Sequence, residues 1–116
     1  MEILDLAALL EPIPGDNPAG ADPREDFSTN ALYYRLRDAR NEARVAERQA
    51  DTAEADDAPP PAQWGPLSRL AVELITTKAK DLEAAAWLSE ALLRTNGLAG
   101  MAEGFRLMAE LVETQN

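Results

Sequence analysis

The sequence predicts an all-α fold, a compact bundle of about five helices with the fourth at its centre. Three observations carry this expectation. Alanine and leucine dominate a chain that is 46% hydrophobic but only 5% aromatic, and both residues favour helix. Apolar residues recur at spacings of three and four through most of the chain, the period of a helix face. The eight prolines fall into two clusters, Pro12–Pro23 and Pro59–Pro66, and none interrupts a helical pattern, so they mark the breaks between helices.

Each element follows in order. A first helix is predicted over about Met1–Leu10, with Ile3, Leu6 and Leu10 on one side. The segment Pro12–Arg24 ends it. Its prolines fix φ and its glycines permit positive φ, so it tends towards one shape rather than many. A second helix starts near Asp26 or Ser28, either of which could cap it, and runs to about Ala50. Its seam is Leu32, Leu36, Ala39, Ala43, Ala46 and Ala50. Residues 51–63 are rich in acid and proline and read as an exposed loop. A third helix begins at about Pro66, with Leu67, Leu70, Ala71, Leu74 and Ile75 buried.

The fourth helix takes Asp81 as its N-cap and Glu83 in its first turn. Apolar residues run most of the way round it, which places it centrally. Trp87 on this helix is expected in the core. Trp64, beside the acidic loop, could cover the core edge or anchor a partner. Gly97 is the expected C-terminal stop. A fifth helix spans about Leu98–Glu113 with Met101, Phe105, Met108 and Val112 inward. Gly100 and Gly104, one turn apart, predict close approach by a neighbouring helix. No coiled-coil heptad of useful length is evident. A chain of 116 residues is most simply one domain.

Composition narrows function. The sequence contains neither Cys nor His, which removes thiol nucleophiles, imidazole bases and the usual zinc ligands. A net charge of −10 opposes general nucleic-acid binding and docking on anionic membranes. The acidic N-terminus does not resemble a signal peptide, and a cytoplasmic protein is expected. Asp16, Asn17 and Asp22 faintly suggest a calcium loop, but Pro18 stands where a ligand belongs; we expect no metal and no cofactor. Local turn bonds are the direct role expected of Asp16 and Asn17. Carboxylates are plentiful, yet no spacing selects an acid–base pair, so a non-catalytic protein is expected over a carboxylate-dependent enzyme.

The candidate contact residues are Asp16, Asn17, Pro18 and Arg24 on the Pro/Gly segment and an arginine stripe on the second helix. Arg37, Arg40, Arg44 and Arg48 share one face. Such a stripe either grips an acidic partner or is a solvated face that pairs with Asp38, Glu42 and Glu47. Asp81, Trp87, Gly97, Gly100 and Gly104 are expected to be structural.

Several motifs occur in a characteristic order: Pro14-Gly15-Asp16-Asn17-Pro18-Ala19-Gly20; Asp38-Ala39-Arg40 continuing to Ala43-Arg44 and Glu47-Arg48; Lys80-Asp81-Leu82-Glu83 through Trp87-Leu88 to Glu90-Ala91-Leu92-Leu93-Arg94; and Gly97 through Phe105. Together they resemble the ImpA-type N-terminal domain of the TssA family, components of bacterial type VI secretion systems. The resemblance implies an interaction module that helps to build or prime the contractile tail through baseplate, sheath or related tail components. It also implies a longer parent chain that oligomerises through a C-terminal region. The alternative is an unrelated acidic helical adaptor or anti-regulator.

Overall fold

A computed structural model describes residues 3–52 and 62–114. It contains four α-helices, rather than about five, and no strands among the described residues. They are α1 (Leu6–Leu10), α2 (Leu32–Thr52), α3 (Trp64–Thr77) and α4 (Leu82–Thr114), with a single 3-10 turn at Pro23–Glu25. The acidic, proline-rich stretch expected as a loop lies mostly outside the described residues. Its first two positions close α2, and Ala62 and Gln63 form a turn before α3.

The helix count differs because of Gly97. The sequence divides there into a fourth and a fifth helix; the structure breaks at the same residue, but the two limbs follow one another without a linker and are counted together as α4. Gly97 has φ 67° and ψ −154°, a conformation open in practice only to glycine. It folds α4 back on itself. A β-carbon built on Gly104 would meet the Ser89 side chain, 2.8 Å from its Cβ; a straight helix would hold those residues about 22 Å apart. Residues 82–96 form an outward limb and residues 98–114 a return limb. Gly100 and Gly104 are both buried between them, so the expected close approach is made by the other limb of α4.

The return limb presents a different face from the one expected. Gly100, Gly104, Leu107 and Leu111 are buried, while Phe105 is 52% and Val112 45% exposed. Met101 and Met108 lie half-buried between these faces. The inward pattern is rotated because the two glycines must face the outward limb.

The central position belongs to α3, not to the fourth helix. α3 packs against α1, α2 and α4, and Trp64, Leu67, Ala71, Leu74 and Ile75 on it are wholly buried. Trp64 is therefore the core indole, and Trp87, expected there, sits half-buried at the edge. The α2 seam follows its composition. Leu32, Leu36 and Ala43 are buried, while Ala39, Ala46 and Ala50 are half-buried, because short side chains cover little area.

Helix starts are set by local bonds. Asp5 caps α1 by accepting from the Ala8 N–H at 3.1 Å, so α1 is shorter than expected. Asp26 does not cap α2. Its carboxylate accepts from the Ser28 N–H at 3.0 Å and the Ser28 hydroxyl at 2.6 Å, and Asn30 stands at φ 61°. Both hold the chain out of helix until Leu32. α3 starts two residues before Pro66, which sits in the first turn, where a missing N–H is tolerated.

Lys80 joins the ends of two helices. It is buried, and its ammonium donates to the Leu9 carbonyl at 2.7 Å and the Ile75 carbonyl at 2.9 Å. These lie in the last turns of α1 and α3, where unpaired carbonyls and the negative dipole ends favour a cation. Burial pushes the Lys80 pKa down, against an opposing pull from Glu11.

Candidate protein-interaction surface

The Pro/Gly segment is held at both ends and presents its middle. Its side chains enter the core at Ile13 and Pro23. Within it, the Ile13 N–H donates to the Pro18 carbonyl at 2.8 Å and the Gly20 N–H to the Asn17 carbonyl at 3.0 Å. Asn17 performs the expected turn chemistry. Its side-chain oxygen accepts from the Ala19 N–H at 3.2 Å, and its amide donates to the Gly20 carbonyl at 2.8 Å.

The segment is then sewn to the connection between α3 and α4. Gly20 pairs with Ala79 in an isolated antiparallel bridge, and the Lys80 N–H donates to the Ala19 carbonyl at 2.8 Å. Gly20 has φ 80°, and any β-carbon there would strike the Lys78 carbonyl. Only glycine permits this seam.

Arg24 supplies a third tie, so the structure places this candidate contact residue inside the molecule's own network. Its guanidinium donates to Asp81 at 2.7 and 3.4 Å and to Glu83 at 3.0 Å. It also lies 3.0 Å from Asp22 and 5.2 Å from the centre of the Tyr33 ring. The bond to Asp81 raises the Arg24 pKa above its ordinary value against the opposing effect of burial. Asp81 is 8% exposed and also caps α4 by accepting from the Ala84 N–H at 2.9 Å. Tyr33 donates to Glu83 at 2.7 Å, and Tyr34 to the Arg24 carbonyl at 2.6 Å. Pro14, Gly15, Asp16, Asn17 and Pro18 are left exposed on this anchored base.

The arginine stripe divides. Arg37, Arg44 and Arg48 are exposed, and Arg37 pairs with Asp38 at 3.2 Å. Arg40 turns inward. It donates to Glu90 at 2.9 Å and lies over the Trp87 ring at 5.3 Å. Its Nε is buried without a partner among the described residues. One turn pair further along, Glu47 accepts two bonds of 2.8 Å from Arg94. That arginine lies 4.3 Å from the centre of the Trp64 ring and holds the Glu47 carboxyl below its usual range. The Tyr33–Glu83, Arg40–Glu90 and Glu47–Arg94 contacts thus form a polar ladder between α2 and α4. Sequence spacing cannot show it, because the partners lie about fifty residues apart.

Phe27 escaped the sequence reading. It is 82% exposed and stacks on Tyr34 with ring centres 6.2 Å apart. The signal was a large aromatic just ahead of the first turn of α2, outside any apolar stripe.

These features define a class: a helical module with a rigid loop tip, an aromatic edge and an outward row of arginines. Comparison with known proteins then supplies the family. Residues 10–116 match the family model described as "ImpA, N-terminal, type VI secretion system", and the chain belongs to this family. It is also 30% identical over 112 residues to "Type VI secretion system component TssA1" of Pseudomonas aeruginosa strain PAO1. That match covers 95% of this chain and 29% of the relative. No solved structure matches. Family membership displaces the alternative of an unrelated adaptor.

Proposed function

We propose that this domain is a non-catalytic protein-interaction module of a type VI secretion component, which helps to assemble or prime the contractile tail. Its partners are baseplate, sheath or other tail proteins, and it acts in the cytoplasm. The observation that carries this reading is the Pro/Gly segment, tied down by the Gly20–Ala79 bridge, the Lys80–Ala19 bond and Arg24 while Pro14–Pro18 stay exposed. A surface shaped before binding loses little entropy on association. A non-catalytic role is supported by the engagement of Asp81, Glu83, Glu47 and Glu90 with arginines, which occupies them structurally. The parent chain is taken to oligomerise through a C-terminal region, so that several copies bind with avidity.

The test is a pull-down from secretion-competent cells with the protein as bait and mass spectrometry of the captured proteins. We expect tail components with the native sequence and their loss with Asp16→Lys/Pro18→Ala, at unchanged helicity. Arg44→Glu/Arg48→Glu probes the stripe separately, since Arg40 is committed to Glu90. Absence of tail components from the native capture overturns the proposal.

A further inference from the structure

An open groove of about 390 Å³ lies beside the start of α2, lined by Phe27, Ala31, Tyr34, Arg35 and Asp38 among others. Its walls are rings held in place. Tyr34 is fixed by its hydroxyl bond to the Arg24 carbonyl, by the edge of Tyr33 at 5.1 Å and by the Arg37 guanidinium at 4.8 Å from its ring centre. Phe27 leans on Tyr34 at an interplanar angle of 25° and otherwise faces solvent. Most of the apolar surface that Phe27 could bury is still in contact with water.

The charges around the groove are unequally satisfied. Asp38 on the lining is paired with Arg37, while Asp26, bonded to the uncharged Ser28, lies off the lining. Arg35 is exposed and makes no ion pair among the described residues. In a chain of net charge −10, the groove therefore offers an uncommitted guanidinium beside two stacked rings.

We propose that this groove docks an extended, acidic, proline-containing peptide segment of a partner protein. Charge complementarity selects the acid: the Arg35 fork is shaped for a carboxylate. The rings select proline, because polyproline-type segments are preformed and dock in aromatic-lined grooves. A helical ligand would need an apolar stripe running over several turns, and this groove supplies two rings and Ala31. The proposal deepens the reading as an interaction module and rests on it, but the two fail separately. Loss of peptide binding leaves the capture of tail components untouched, and failure of that capture leaves the titration readable.

The test is fluorescence anisotropy of the whole chain with a fluorescein-labelled peptide of three Pro-Pro-Asp repeats. Saturable binding is expected, weakened about tenfold or more when asparagine replaces aspartate or alanine replaces proline. Phe27→Ala and Arg35→Glu should each weaken it by a similar factor. Arg69→Glu, exposed on α3 and outside the groove, should change it less than about twofold. Amide NMR shifts caused by the peptide should centre on Phe27, Ala31, Tyr34 and Arg35, a readout that needs no variant. The proposal is overturned by absence of saturation up to about 1 mM, by equal losses for Arg35→Glu and Arg69→Glu, or by shifts centred elsewhere.

Discussion

At the scale of single residues, the structure reassigns charge. Four of the five arginines of α2 read as one stripe, yet Arg40 serves α4 while Arg44 and Arg48 serve solvent. Spacing along a helix gives direction only, and whether a neighbour lies in that direction depends on the tertiary fold. Arg24 makes the same point: the segment it belongs to was legible as shaped, but its anchor on Asp81 joins residues 57 apart. The Glu47–Arg94 pair yields a pH expectation. Arg94 depresses the folded pKa of Glu47. Its stabilisation is therefore present above the ordinary carboxylate value, near 4.5, and is lost as pH falls through the lower folded value. We expect Glu47→Gln to cost about 1–3 kcal/mol at pH 7. The gap to the native protein should narrow below about pH 4, as read by urea unfolding across pH. A gap that stays constant or widens in acid would refute this account.

At the scale of elements, boundaries set by side-chain capping were legible, as at Asp81. Those set by an irregular backbone were not. α2 begins late because Asn30 adopts positive φ and Asp26 bonds forward to Ser28, choices that composition alone leaves open. The return limb of α4 was the harder case. It carries two apolar faces, and hydrophobic periodicity favoured the face with larger side chains. The glycines decide otherwise, because only their face admits the outward limb at so short a distance. We expect Leu107→Ala to cost about 2–5 kcal/mol and Phe105→Ala less than about 1 kcal/mol, since Phe105 is already half in water. Thermal or denaturant unfolding compares the pair directly, and a larger loss at Phe105 would restore the sequence-based orientation.

At the scale of the whole molecule, α3 is the hub that every other helix touches, and the Pro/Gly segment closes one end of the assembly. The all-helical class was legible because alanine, leucine and period carry it; the identity of the central helix was not. α3 and the outward limb of α4 are both strongly apolar, and the choice between them depends on where α1 and α2 pack. The closure can be tested as a unit. Arg24→Ala should release the tie to Asp81 and Glu83 while leaving the hydrophobic core in place. We expect amide exchange at Ala19, Gly20 and Lys80 to accelerate about tenfold or more, with that at Leu74 and Leu88 nearly unchanged. Uniform acceleration would mean that Arg24 supports global stability rather than the loop.

The chain has two lysines, Lys78 and Lys80, and their surroundings are opposite. Lys78 is exposed, whereas the Lys80 amine is spent on the ends of α1 and α3. An acylating reagent in water should therefore reach the first while the native chain shields the second. Modification of Lys80 requires the junction of both helices to part, which makes this amine a built-in chemical clock for opening of the fold.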